Sequence, residues 1–314
     1  MTLNHVKTRL LGIVVLGWLL AGTPLAHADE RWVVLGGDIA ETLAALDADI
    51  NVIARDDTVV HPPAMAELPS VGYLRQLSAE SVLSVKPDQV LAAGHAGPKE
   101  VLEQLTAVGV SVEIINAPPT LNAIADKVRA VGRLTDRRDA AEALADALNE
   151  KLDRLANLPA LPTTRAMFIM QHSGLTPRAA GSDTAAHSTL EAVGLANAFA
   201  EMQGYHSVGA EALARQAPEV VIVSERGLAA MGGEAALWQL PGMALTPAGR
   251  EQQLIVIDDQ ALLGFGPRTP DQLLTLRQDV EALLGAPTSA QANSVQNSSV
   301  QNSTAQNSTA QLSP

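Results

Sequence analysis

Two segments of the chain follow one layout. LSAESVLSVKPDQVLAA (77–93) and VGAEALARQAPEVVIVS (208–224) both read small residue, Ala, Glu, an apolar turn, Pro, an acidic residue and then a strand. The glutamates, Glu80 and Glu211, each stand seven residues before their proline. Pro followed by an acidic residue is ordinary punctuation before a strand. The matched glutamate spacing goes further and points to a duplicated unit. Between the copies, residues 121–155 carry a helical period. Ala141, Leu144, Ala145, Leu148, Leu152 and Leu155 recur every three to four residues, which marks one buried face. The period weakens near Arg133 to Arg138, and Pro159 and Pro162 end it. The expected fold class is therefore α/β, with two similar α/β lobes bridged by a long rigid helix and a ligand cleft between them.

The rest of the chain fits this frame. Trp32 to Leu35 predicts a strand, followed by Gly36-Gly37 and a helix from about Ile39; Asp38 and Glu41 have the spacing of a helix-start capping pair. Further strands are expected at 52–53, 89–92 and 112–115, and then at 166–170, 220–223 and 254–257. Helices between them imply parallel pairing through right-handed crossovers. The predicted divisions are a signal peptide over 1–28, a first lobe over 29–120, a bridging region over 121–160, a second lobe over 161–286 and a tail over 287–314.

The two ends differ from this pattern. Lys7 and Arg9, the apolar stretch LLGIVVLGWLLA and Ala26-His27-Ala28 have the three parts of a cleavable secretory signal. The tail SAQANSVQNSSVQNSTAQNSTAQLSP is poor in large apolar side chains and is expected to be disordered. The chain contains no cysteine, so no disulfide forms even in an oxidising compartment. A periplasmic protein is the expectation. Net charge is -13, which argues against nucleic acid and anionic membranes as partners. An anionic ligand would need arginines placed to overcome that field locally.

Candidate chemistry is sparse. No Gly-x-Ser-x-Gly elbow, His-Glu-x-x-His pair or phosphate loop is present, which speaks against an enzyme. One of only two tyrosines, Tyr73, sits in a Gly-Tyr-Leu-Arg loop before a helix. Packing residue, hydrogen-bond donor and metal ligand are all open to it. Of the histidines, His61 precedes two prolines, His187 falls in a predicted helix, and His206 follows Tyr205. His95 and Tyr205 remain candidates because loops after strands face the cleft in such folds.

The strings RWVVLGGDIAETLAAL, VGYLRQLSAESVLSVKPD, QHSGLTPRAAGSDTAA and LLGFGPRTP together resemble periplasmic haem-binding proteins of ABC haem importers. The resemblance spans residues 30–284, and the Gly-Tyr-x-Arg loop is its specific part. It implies that Tyr73 is the axial ligand of ferric haem, the transported ligand. A phenolate is a hard anionic donor suited to Fe(III), and Arg75 would favour that charged form. The resemblance gives His172, in Gln-His-Ser-Gly, the role of binding iron from the opposite face or of holding a second, stacked haem. Arg75, Arg178 and Arg268 are the arginines expected to pair with the propionates. Arg178 departs from the family, where an apolar residue is common. Glu80 and Glu211 match the glutamates that dock on arginines of the inner-membrane ABC permease, with an outer-membrane haem receptor system as an indirect partner. Cobalamin or a ferric siderophore is the alternative cargo within the same transporter class.

Overall fold

The computed structural model describes residues 30–118, 120–171 and 176–285. The expected signal peptide, His172 and the expected tail lie outside the described residues. The first lobe runs β1 (Arg31–Leu35), α1 (Gly37–Ala45), β2 (Asn51–Arg55), α2 (Pro63–Ala66), α3 (Ala79–Ser84), β3 (Gln89–Ala93), α4 (Lys99–Ala107) and β4 (Ser111–Ile115). Helices α5 (Ala123–Leu134) and α6 (Arg138–Ala156) follow. The second lobe begins β5 (Arg165–Met170), β6 (Arg178–Ala180), α7 (Ala185–Ala192), β7 (Ala196–Asn197), β8 (Tyr205–Ser207) and α8 (Ala210–Gln216). It continues β9 (Val220–Ser224), α9 (Glu225–Met231), α10 (Glu234–Trp238), α11 (Pro247–Glu251), β10 (Leu254–Ile257), α12 (Asp259–Leu263) and α13 (Thr269–Gly285).

The first sheet is parallel in the order β2-β1-β3-β4. In the second, β5, β9 and β10 are parallel neighbours matching β1, β3 and β4. The short strands β6 and β8 extend that sheet antiparallel beyond β5. Alternating side chains of each central strand feed two cores. Trp32 and Val34 enter one cluster with α1, α5 and α6, while Val33 and Leu35 enter another with α3 and α4.

The duplicated segments occupy equivalent places, and the structure explains their acidic residues. The Asp88 carboxylate accepts the Arg31 N–H at 2.9 Å, and Glu219 accepts the Arg165 N–H at 2.8 Å. Each arginine side chain then reaches back to the end of the preceding helix. Arg31 donates to the carbonyls of Val85 and Lys86, and Arg165 to that of Gln216. Before each proline the chain passes through a left-handed residue, Lys86 at φ 50 and Ala217 at φ 42. Two helix-strand joints with the same clamp and the same unusual φ are a true repeat.

Residues 121–155 form two helices rather than one. Thr135, Asp136 and Arg137 break the run, with Asp136 at φ 54, and α5 packs back along α6. Gly132 permits that approach, because a Cβ there would lie 2.3 Å from the Ala141 Cβ. The 19-residue α6 alone carries the bridge, about 28 Å at 1.5 Å per residue. Ala141, Ala145 and Leu148 belong to the first-lobe core, whereas Leu155 lies in the second-lobe core.

The expected capping pair at α1 is not made. Gly36 is the N-cap, and no side chain bonds the helix start. Asp38 and Glu41 are both buried and turn instead to distant cations. Lys127 Nζ lies 2.5 Å from Asp38 Oδ2 and also donates to the Gly264 carbonyl at 2.9 Å. Arg268 pairs with Glu41 and Asp258, both at 2.8 Å. The Gln260 amide donates to Glu41 Oε1 and the His61 carbonyl, and its oxygen accepts from the N–H groups of Val60 and His61. With Phe265 buried in the first-lobe core, this network joins the lobes next to the bridge.

Candidate functional site

The Tyr73 loop is held by its backbone. Gly72, at φ 105, adopts a conformation natural to glycine, and its carbonyl accepts from the Asp57 N–H at 2.9 Å. A turn closes when the Gln76 N–H donates to the Tyr73 carbonyl at 2.8 Å. Two further bonds tie the loop to the one after β3. Gly97 N–H donates to the Leu74 carbonyl and Leu77 N–H to the Gly97 carbonyl, both at 2.9 Å. Leu74 and Leu77 are buried beneath, so Tyr73 is left half-buried and Arg75 exposed. His95 lies on the second of these joined loops.

The second lobe supplies Tyr205. It is the first residue of β8, pairs with Ala180 of β6 and packs partly against the second-lobe core. Its hydroxyl is influenced by Thr184 and Ala186 at the start of α7. Burial pushes its pKa up to about 12, with Tyr73 adding to the rise and Arg75 opposing it. Those influences require Tyr73 and Arg75 to lie close to Tyr205. Both tyrosines of the chain, one from each lobe, and Arg75 are thus within electrostatic reach of one another.

His95 belongs to the same cluster. It is solvent-accessible, yet enough protein surrounds it that desolvation lowers its pKa. Arg75 and Lys127 lower it further, while Asp38 works in the opposite direction. The imidazole is therefore neutral at physiological pH. Among the described residues no group of three or more His, Asp or Glu side chains is arranged to hold a metal ion.

The other sequence candidates fall in distinct places. Arg178 is exposed at the start of β6 and pairs with Ser207, which puts it on the Tyr205 face of the β6-β8 ribbon. Arg268 is a correction. Its Nε and both terminal nitrogens are bonded to Glu41 and Asp258, so it braces the lobes rather than standing ready for a ligand carboxylate. Its charge is retained there: burial disfavours it, but the two carboxylates prevail and raise its pKa. Glu80 and Glu211 are exposed in the first turns of α3 and α8, with Arg215 3.6 Å from Glu211. His187 and His206 bond locally, to Asn197 and to the Gln203 carbonyl. Sequence reasoning kept Tyr205 only as a secondary candidate. Its status as the other tyrosine was the available signal.

A family model described as "Periplasmic binding protein" matches residues 33–261. The chain belongs to the periplasmic binding protein family. Its members bind a substrate for an ABC transporter and are not catalytic, so a permease and a transported ligand are its partners. Among solved structures, the chain resembles the periplasmic heme-binding protein BhuT in complex with two hemes. Identity is 36%, covering 82% of this chain and 99% of that one, with a TM-score of 0.75. It also resembles the apo form of the periplasmic heme-binding protein RhuT from Roseiflexus sp. RS-1. There identity is 33%, coverage 81% and 99%, and the TM-score 0.76. Among curated sequences, the vitamin B12-binding protein of Salmonella typhi is 25% identical over 212 residues, 67% of this chain and 78% of that one. Among the described residues no helix is long and apolar enough to cross a membrane.

Proposed function

We propose that this binding protein carries ferric haem, held through Tyr73, to an inner-membrane ABC permease. The observation that carries the reading is the Gly-Tyr-Leu-Arg loop, tied by backbone bonds to the loop after β3 so that Tyr73 is half-buried and Arg75 exposed beside it. A phenol ordinarily titrates near pH 10. Ferric iron, when bound, would supply the drive toward phenolate. Haem also brings two carboxylates into an acidic protein, where Arg75 and Arg178 stand as local cations. The solved neighbours named for heme lend support at 33–36% identity over about four-fifths of the chain.

A second reading, cobalamin, is favoured by the curated sequence relatives named for vitamin B12. Cobalamin needs no tyrosinate, and it leaves the Gly-Tyr-Leu-Arg loop without a task. Absorption titrations with hemin and with cyanocobalamin separate the two. The haem reading expects saturable hemin binding with the charge-transfer bands of ferric tyrosinate, and those bands are lost in Tyr73→Phe. Saturable cyanocobalamin binding with no spectral change on adding hemin would replace it.

Glu80 and Glu211 are assigned here to permease docking. Their support is equivalent placement on a duplicated helix-strand joint together with the exposure of both residues.

A further inference from the structure

Tyr73 follows a glycine with open space where a side chain would be. A Cβ built on Gly72 meets no atom within 4 Å, and its φ of 105 is one that only glycine adopts freely. Hydrogen bonds, not packing, fix this residue. The segment 69–72 runs parallel beside the end of β2. There the Arg55 N–H donates to the Pro69 carbonyl at 3.0 Å and the Val71 N–H to the Arg55 carbonyl at 2.9 Å. The ladder ends at Gly72, whose carbonyl accepts from the Asp57 N–H at 2.9 Å. The Gly72 N–H donates to Ser70 Oγ at 3.0 Å, and the Ser70 hydroxyl donates to Asp57 Oδ1. These three bonds close a ring, with Asp57 supplying the backbone donor at one end and the carboxylate at the other. Arg55 Nη1 stands 3.5 Å from the same carboxylate oxygen.

We propose that Asp57 and Ser70 are positioning residues for Tyr73, fixing through Gly72 the direction in which the phenol meets the ligand. The inference rests on the haem reading, which assigns the iron to Tyr73 but not the means of aiming it. A carboxylate only accepts, so it takes the single Ser70 proton and leaves a hydroxyl lone pair to Gly72. The bond at the Gly72 N–H sets the peptide plane before that residue, and the bond at its carbonyl sets the plane that includes the Tyr73 nitrogen. On the other side, the Gln76 N–H holds the Tyr73 carbonyl at 2.8 Å. Both planes flanking Tyr73 are then fixed. The phenol oxygen lies at the far end of a rigid ring, where a small rotation at Gly72 is magnified. Binding groups must be held to within about 0.5 Å by neighbours that are themselves locked. Ser70 and Asp57 are both exposed, so water replaces their bonds when either is cut. Fold stability then changes little, while the aim of Tyr73 is lost.

The test measures hemin binding and ferric charge-transfer bands in wild type, Ser70→Ala, Asp57→Ala, the double variant and Ser70→Thr. Breaking the ring at either residue is expected to weaken hemin binding about tenfold, the scale for groups that orient a metal ligand. The double variant should lose no more than either single one, because a ring is broken only once. Ser70→Thr keeps the hydroxyl and should retain both affinity and bands. Asp57→Ala also removes a negative charge, which by itself favours an anionic ligand, so a loss there speaks for geometry. Melting temperatures without ligand should stay close to wild type. In the ligand-free protein, exchange of the Gly72 amide hydrogen should quicken in both alanine variants. Wild-type affinity and bands in both alanine variants overturn the inference and leave the haem reading standing. Losses that add, or that recur in Ser70→Thr, also overturn it, because the two residues then do not act as one ring through the hydroxyl. A wild type that binds hemin without tyrosinate bands, or not at all, ends the haem reading and this inference with it. If Asp57→Ala melts below the assay temperature, Ser70→Ala and Ser70→Thr carry the comparison through affinity, bands and Gly72 exchange.

Discussion

Arg75 acts on two titratable side chains from different parts of the chain, His95 and Tyr205, and stands two residues from Tyr73. One cation serving both lobes makes its removal informative. Arg75→Met is expected to weaken hemin binding by less than Tyr73→Phe does, because it makes the phenolate costlier without removing the iron bond. Dissociation constants and charge-transfer intensity measured on both variants check the ranking. A larger loss from Arg75→Met would move the main ligand contact to the arginine. His61 offers a separate test through pH. Burial and Arg268 lower its pKa below 6.5, with Asp258 opposing them. A histidine whose folded pKa is depressed holds fewer protons folded than unfolded, so stability falls as pH drops from 6.5 through the folded value. His61→Gln removes that contribution. Its melting temperature is therefore expected to decline less than that of wild type between pH 7 and pH 5. His95, shifted the same way, keeps part of the slope in both proteins. Parallel melting curves across that range would count against a titrating role for His61.

The elements tell how much of the molecule a reader of residues can recover. The apolar run Val220 to Val223 announces its strand because a central parallel strand is buried on both faces, whereas Leu254 to Ile257 forms the edge strand β10 with Val256 exposed. The α6 stripe is legible for a similar reason, since one face must bury along its whole length. Strands β6 and β8 are three residues each, too short for any period to register, and so the ribbon that carries Tyr205 and Arg178 stayed invisible. The partners of Asp38 and Glu41 lie 89 and 227 positions away, which local spacing cannot reveal. That distance is why a capping pair was expected at α1 and a ligand arginine at Arg268. The lobe-joining network carries its own prediction. Arg268→Met leaves the buried Glu41 carboxylate without its cation and is expected to cost about 3 kcal/mol. Adding Glu41→Gln removes the stranded charge and should restore part of that loss, as denaturant unfolding of the single and double variants would show. A double variant no more stable than the single one would mean that Glu41 is already neutral. The repeat invites a matched pair of the same kind. Arg31→Ala and Arg165→Ala each lose the clamp on a helix end, and similar costs of about 1 kcal/mol are expected in the two lobes.

At the scale of the whole molecule, the bridge and the network beside it limit motion. Closing the lobes would bend α6 against its own hydrogen bonds and pull Arg268 from two carboxylates, so only a small rearrangement on binding is expected. A carrier that changes shape little must report its cargo to the permease through a fixed surface. The duplicated joint offers one. Glu80 and Glu211 stand in the first turns of equivalent helices, α3 and α8, each leading into the second parallel strand of its lobe's repeated core. Rigid lobes hold the two carboxylates at a set separation, which gives a docking partner both a charge and a register. Such charge pairs act chiefly on encounter and orientation. Glu80→Ala combined with Glu211→Ala is accordingly expected to leave the hemin titration intact while slowing haem uptake into vesicles that contain the permease. Wild-type uptake should decline as salt rises, since screening weakens exposed charge pairs, and the double variant should respond to salt less. Reversing both residues to Arg should slow uptake more than truncation does, because like charges then face the permease. Arg215, 3.6 Å from Glu211, supplies an internal control. Arg215→Ala frees that carboxylate, so uptake at low salt should hold steady or rise. Uptake by the double alanine variant at the wild-type rate, at equal haem loading, would return both glutamates to ordinary helix-start residues stabilised by the local dipole.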